Sequence, residues 1–140
     1  MKIYFSGSIR GGRSFKEIYN QLINHLKNYG IVLTEHIGDV NLTESGENIS
    51  DEDIFNRDIK FLVDSDILIA EVSTPSLGVG YEIALAEKIG KKILCLHKYE
   101  EGKKISAVIS GNPKLNFKSY TEIDEAKKII DEFINNNGKR

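Results

Sequence analysis

The stretch Asp66-Ile67-Leu68-Ile69-Ala70-Glu71-Val72 decides the fold. Successive residues of a strand point to opposite faces, so the run from Ile67 to Ala70 is apolar on both, and a strand of that kind needs helices on either side. It reads as the central strand of a parallel sheet. Outward from it, Lys2–Phe5, Ile31–Glu35, Lys92–Leu96 and a weaker Phe117–Tyr120 complete a set of five strands. Amphipathic segments fill the gaps. Phe15, Ile18, Tyr19, Leu22, Ile23 and Leu26 recur at helical spacing, with Gly30 at a position suited to a left-handed cap. Ser50 and Asp53 form an N-cap pair for a second helix, whose buried side is Ile54, Ile59, Phe61, Leu62 and Val63 and which ends near Asp64. A third helix is expected from about Tyr81 to Ile89, stopping at Gly90, and a last one carries Ile123, Ala126, Ile129, Ile130 and Phe133. The Asn135-Asn136-Asn137-Gly138 tail reads as frayed, and the polar segments 38–48 and 98–104 as mobile loops. Strands alternating with helices predict an α/β sandwich built from βα units.

Length and composition narrow the possibilities. The 140 residues suit one domain with one core, spanning 1–140. A net charge of −2 gives no broad basic surface for polymeric nucleic acid, although a local site can still hold a small anion. The single cysteine, Cys95, rules out a disulfide framework and reads as a buried strand residue. No apolar stretch approaches the ~20 residues of a membrane span, and the first strand begins at Lys2, so a cytoplasmic protein without signal peptide or membrane partner is expected. His25, His36 and His97 fall on three different elements without zinc-ligand pairing, so neither metal nor cofactor is expected.

Ligands of parallel α/β sheets bind beyond the carboxyl ends of the strands. The first such loop is Ser6-Gly7-Ser8-Ile9-Arg10-Gly11-Gly12-Arg13, running into helix one. Gly7, Gly11 and Gly12 let a ligand approach the backbone, the N–H groups at a helix start favour an anion, Ser8 adds a hydroxyl, and Arg10 or Arg13 adds a charge-assisted contact suited to a phosphate. A tight turn with exposed arginines would have the same composition. The spacing fits neither the P-loop of ATPases nor the dinucleotide fingerprint.

The third loop, Thr74-Pro75-Ser76-Leu77-Gly78-Val79-Gly80-Tyr81-Glu82, delivers Glu82 into what reads as the first turn of helix three, where backbone dipoles would keep it ionised. Ser76 and the Gly78 backbone offer further phosphate donors. Retaining cleavage of a glycosidic bond uses two carboxyl groups about 5 Å apart, one attacking and one serving the leaving group. Glu82 and Asp58, on helix two, can fill these roles, with Asp53, Asp64 and Asp66 as competitors for the second. Tyr4 on the first strand would stand beside them if its ring faces the ligand.

Taken together, Tyr4-Phe5-Ser6-Gly7-Ser8-Ile9-Arg10-Gly11-Gly12-Arg13, Val32-Leu33-Thr34-Glu35-His36, Pro75-Ser76-Leu77-Gly78-Val79-Gly80-Tyr81-Glu82 and Ile93-Leu94-Cys95-Leu96 resemble the 2′-deoxynucleoside 5′-phosphate N-hydrolase family, within the nucleoside deoxyribosyltransferase-like superfamily. The resemblance implies a flavodoxin-like (Rossmann-like) three-layer sandwich with a five-stranded parallel sheet. It implies release of the base from 2′-deoxynucleoside 5′-monophosphates through a covalent intermediate on Glu82, with Asp58 assisting the base and Tyr4 helping to position the sugar and the catalytic carboxylate. Ser76 and the loop Ser8–Gly12 would hold the 5′-phosphate. It further implies a homodimer in which Ser106 reaches the partner's phosphate. The family commonly has cysteine where Ser6 stands, and the 38–48 loop differs in length from its counterparts, so base preference stays open. Two rivals remain: a deoxyribosyltransferase that passes the sugar to a second base, and a non-catalytic nucleotide-binding or sensing domain.

Overall fold

The computed structural model describes residues 1–137. Five strands, β1 (Lys2–Ser6), β2 (Ile31–Val32), β3 (Ile67–Glu71), β4 (Lys92–Lys98) and β5 (Asn116–Tyr120), form one sheet in the order β2-β1-β3-β4-β5, with every neighbouring pair parallel. Helices α1 (Lys16–Leu26), α2 (Asp51–Asp64), α3 (Leu77–Lys88), α4 (Ala107–Ser110) and α5 (Ile123–Asn137) connect and cover it.

Strand alternation sorts the core into two layers. Ile3, Phe5, Ile67, Ile69, Leu94 and Leu96 face α1 and α5, where they meet Leu22, Leu26 and Ile130. Tyr4, Leu68, Ala70, Ile93 and Cys95 face the other way, against Leu62 of α2 and Val79, Ile83 and Ala86 of α3. The expected three-layer sandwich with a fully covered β3 is therefore present. The strand order has one further consequence. The chain leaves β1 toward β2 on one side and returns to β3 on the other, so the loops after β1 and β3 diverge and open a crevice at their carboxyl ends.

Several strand ends shift by one or two residues from the sequence reading, and some features differ from it for a physical reason. β2 stops at Val32 instead of Glu35, and a 3-10 turn follows at Glu35–Gly38. The reason is Thr34: its hydroxyl accepts from the Phe5 N–H at 2.8 Å and donates to the Phe5 carbonyl at 2.6 Å, taking the place of a backbone ladder. Gly30 is not left-handed; a Cβ there would lie 2.0 Å from the Met1 carbonyl oxygen, so the close approach of the chain start demands glycine. The left-handed glycine at a helix end is Gly90, with φ 81°. α3 begins at Leu77, well before Tyr81, because the Ser76 hydroxyl accepts from the Val79 N–H at 3.3 Å and caps the helix there. Finally, α5 continues through Asn137, so the tail read as frayed is helical up to that point, while Gly138 lies outside the described residues. The Ser50 cap of α2 is as expected, its hydroxyl accepting from Asp53 N–H at 3.1 Å. Among the described residues no helix is long and apolar enough to cross a membrane.

Replacing Thr34 by Val keeps the shape of the side chain and leaves two buried polar groups of Phe5 without partners. We expect Thr34→Val to lose about 2–3 kcal/mol of stability in urea unfolding. An unchanged midpoint would mean that the hydroxyl does not substitute for the missing ladder.

Candidate active site

The loops after β1 and β3, the segment before α2, and the N-terminal halves of α2 and α3 enclose a cleft of about 620 Å³, within the range of small-molecule sites. Gly7, Ile9, Arg10 and Gly11 line one side, Ser76, Gly78 and Glu82 another, and Glu47, Ile54 and Asp58 a third.

The two catalytic-end loops fit together only because of glycine. A Cβ on Gly11 would sit 2.8 Å from the Pro75 carbonyl oxygen and 2.9 Å from the Ser8 hydroxyl, and Gly12 has φ 134°. The backbone N–H of Ser8 donates to the Tyr19 hydroxyl at 3.1 Å, which pins the loop to α1. Ser8 is fully buried, and its hydroxyl lacks a hydrogen-bond partner among the described residues. At the root of the other loop, the buried Glu71 carboxyl accepts from the Ser73 N–H at 2.6 Å, from the Ser73 hydroxyl and from the Tyr120 hydroxyl. Burial pushes that carboxyl above the usual range.

The two arginines read as phosphate candidates have different work. Arg13 is buried and donates to the carbonyls of Ser8, Asp39 and Leu42 at 3.2, 2.8 and 2.9 Å, bracing the 38–48 loop against the first loop. Arg10 is the one that faces the cleft, and it pairs with Asp51 at 2.8 Å across the mouth, both side chains well exposed. An exposed pair of this kind contributes ~1 kcal/mol or less, so exchanging Asp51 for a phosphate costs little.

Glu82 lies in the second turn of α3, next to Ile83 and three residues after Val79, both buried, and so on the inward face. This corrects the expectation that a helix start would keep it ionised: the cap is at Ser76, and the dipole effect fades beyond the first turn. Desolvation instead pushes its carboxyl up to about 8. One side chain answers it. The hydroxyl of Ser6, 1% exposed at the end of β1, donates to Glu82 Oε1 at 3.0 Å.

Of the four aspartates read as partners for Glu82, Asp58 lines the cleft, whereas Asp53, Asp64 and Asp66 do not. Asp66 is tied instead to the backbone N–H of Lys2 at 2.7 Å. Asp58 Oδ1 accepts from Arg57 at 2.9–3.0 Å, and Arg57 also grips Glu47 through two bonds of 2.6 and 2.7 Å. His36 completes the cluster, its Nε2 3.2 Å from Arg57 and 3.4 Å from Glu47, with burial lowering its basicity. Tyr4 is 1% exposed and packed under the cleft, on the face shared with Ser6. Gly12 and Ser8 sit behind the wall and not on it, and Ser106 stands exposed ahead of α4, outside the chain's own cleft. No group of three His, Cys, Asp or Glu residues able to hold a metal occurs among the described residues.

Ser6, Arg57 and Glu47 are the site residues that sequence reading passed over. Ser6 carried a usable signal, because strand alternation puts it on the same face as Tyr4. The Arg57–Glu47 brace carried none, since it joins a loop to a helix ten residues on.

The raised value at Glu82 bears on stability. Its folded value lies above the ordinary 4.5, so the folded protein holds a proton that the unfolded chain releases, and stability present below 4.5 is lost as pH rises toward 8. Glu82→Gln cannot suffer that loss. We expect the thermal midpoint of Glu82→Gln to gain on that of the unsubstituted protein steadily between pH 4.5 and 8, and parallel pH curves would contradict the burial of this carboxyl.

A family model for nucleoside 2-deoxyribosyltransferase matches residues 3–126. A protein named 5-hydroxymethyl-dUMP N-hydrolase from Tetraodon nigroviridis is 40% identical, with 97% of this chain and 99% of that protein aligned. One of the same name from Danio rerio is 44% identical over 96% of both. The solved structure of a CMP N-glycosidase from Clostridium botulinum superposes with a TM-score of 0.68 at 19% identity, covering 95% of this chain and 99% of that one, which speaks for the shared fold. With the parallel sheet, the cleft at its switch point and this breadth of similarity in view, the chain belongs to the nucleoside 2-deoxyribosyltransferase family.

Proposed function

We propose that this chain hydrolyses the N-glycosidic bond of 2′-deoxynucleoside 5′-monophosphates, releasing the free base and 2-deoxyribose 5-phosphate. The observation that carries this reading is the opposition, across one cleft, of an anion-binding loop bearing Arg10 and a desolvated glutamate, Glu82. Relatives named as N-hydrolases of a deoxynucleoside monophosphate support the substrate class.

The phosphate sits against the backbone of Gly7–Gly11, with Arg10 turned from Asp51 and with Ser76 and Gly78 facing it. Anchored there, the sugar presents C1′ to Glu82, and the energy of binding a group remote from the reaction lowers the chemical barrier. Glu82 attacks C1′ as the bond to the base breaks, and Asp58 gives its proton to the departing base. The result is a sugar ester of Glu82. Water then attacks C1′, its proton passes to Asp58, and Glu82 leaves as the carboxylate. Tyr4, under the cleft, supports the sugar side.

Burial raises the Glu82 carboxyl to about 8. Attack on C1′ needs the carboxylate, so Glu82 gives up its proton before the bond to the base breaks. Asp58, held by Arg57, is the acid that meets the departing base.

We also infer a homodimer as the working unit. Leu77 on the rim of the cleft is 97% exposed, Tyr81 follows one turn later, and Phe55 stands opposite on α2, an apolar rim that a second copy would cover. The same reading gives Ser106, exposed and outside its own cleft, the role of reaching the partner's phosphate.

Chromatography of a panel of deoxynucleoside and ribonucleoside monophosphates tests the activity. Free base is expected from the deoxynucleotides, little from nucleosides without phosphate, and no new nucleotide when a second base is added. Glu82→Gln should lower turnover at least ~10³-fold with nucleotide binding retained, and a variant that still releases base would refute the nucleophile. For assembly, light scattering should find a dimer that Leu77→Asp converts to a monomer of lower activity. A monomeric, fully active parent would rule the dimer out.

A further inference from the structure

We propose that Ser6 is a positioning residue that holds the Glu82 carboxyl by one oxygen and favours its ionised form, so that the other oxygen is left to meet C1′. This rests on the reading of Glu82 as nucleophile. The geometry behind it is simple. Ser6 is the last residue of β1, paired in register with Ala70 of β3, which places it in the two central strands at the floor of the crevice. Alternation along β1 turns its side chain toward α3, and there the hydroxyl meets Glu82 Oε1 at 3.0 Å. Packing sets both backbones: Ser6 is 1% exposed, and Glu82 stands on a helix whose residues Val79 and Ile83 are buried against the sheet.

Among the described residues no other side chain donates a hydrogen bond to this carboxyl. The other titratable groups around the cleft are Arg10 from the first loop, Glu47 and His36 from the segment before α2, Asp51, Arg57 and Asp58 on α2, Tyr4 beneath and Tyr81 on α3. Arg10 is engaged with Asp51, and Arg57 with Glu47 and Asp58. A hydroxyl donated to a carboxylate makes a charge-assisted bond, stronger than the bond it makes with the neutral acid, so its presence favours ionisation. Burial acts in the opposite direction and is what carries the carboxyl up to about 8.

The test is a direct titration of the Glu82 carboxyl by 13C NMR, with glutamate side chains labelled and Glu82→Gln used for assignment, in the parent, Ser6→Ala and Ser6→Cys. The same proteins are assayed for free-base release across pH. In Ser6→Ala the titration of Glu82 should rise by ~1 pH unit, since a bond to a charged group has been removed. The limb of the pH–rate profile on which activity rises as Glu82 ionises should move up by the same amount, and the rate at neutral pH should drop ~10-fold. Ser6→Cys, a similar volume with a weaker donor, should fall between the two, and it keeps the test open if the alanine variant folds poorly. An unmoved titration with a uniformly lower rate would reduce Ser6 to packing and overturn the inference while leaving the nucleophile in place. Turnover by Glu82→Gln would sink the nucleophile reading whatever the Ser6 variants show.

Discussion

A half-buried, largely desolvated carboxyl group at the open end of a parallel sheet is the constraint to which the rest of the structure answers. Glu82 is costly to bury in charged form, and its cost is offset by a single hydroxyl from the neighbouring strand. The fold makes this possible through strand order. Because β1 and β3 lie side by side while their loops part, a residue at the end of β1 and one on the helix after β3 meet above the floor of the same crevice. The helix is held there by Val79, Ile83 and Ala86, packed on Leu68, Ala70 and Cys95. Displacing any of these would tilt the helix and with it the carboxyl.

Around that point the chain uses polar side chains as braces between irregular segments. Arg13 binds three carbonyls to hold the 38–48 loop against the first loop, and Arg57 ties Glu47 to Asp58. Tyr19 and Glu71 fasten the two loops from the opposite side of the sheet. The glycine-rich backbone that lines one side of the cleft is thus fixed from behind, and a wall already in position needs no reordering when it meets a small molecule. Arg10 on the same loop is engaged only in an exposed pair at the mouth.

Much of this was legible in the residues, and the limits of legibility have physical causes. The central strand announced itself because burial on both faces leaves no polar alternation, and the cap at Ser50 because its Ser-x-x-Asp spacing is local. Glycine 11 was readable as a close-approach residue, although its partner turned out to be the other loop. The end of β2 was not readable: Thr34 replaces a ladder bond with its side chain, and a threonine in a run of apolar residues looks like more strand. The start of α3 was missed because Gly78 and Gly80 read as loop, while Ser76 captures the Val79 N–H and starts the helix before them. That error carried the protonation of Glu82 with it. A helix dipole was credited where desolvation dominates, and only the position of the carboxyl in three dimensions distinguishes the two.

The proposed reaction stands on Glu82 as the oxygen nucleophile toward the anomeric carbon. Mass spectrometry of protein quenched in acid during turnover of a deoxynucleoside monophosphate measures this most directly. A 5-phosphodeoxyribosyl adduct is expected on the peptide carrying Glu82, absent in Glu82→Gln and lost once substrate is exhausted. Release of base under the same conditions with that peptide unmodified at every time point, or with the adduct on another residue, would contradict it.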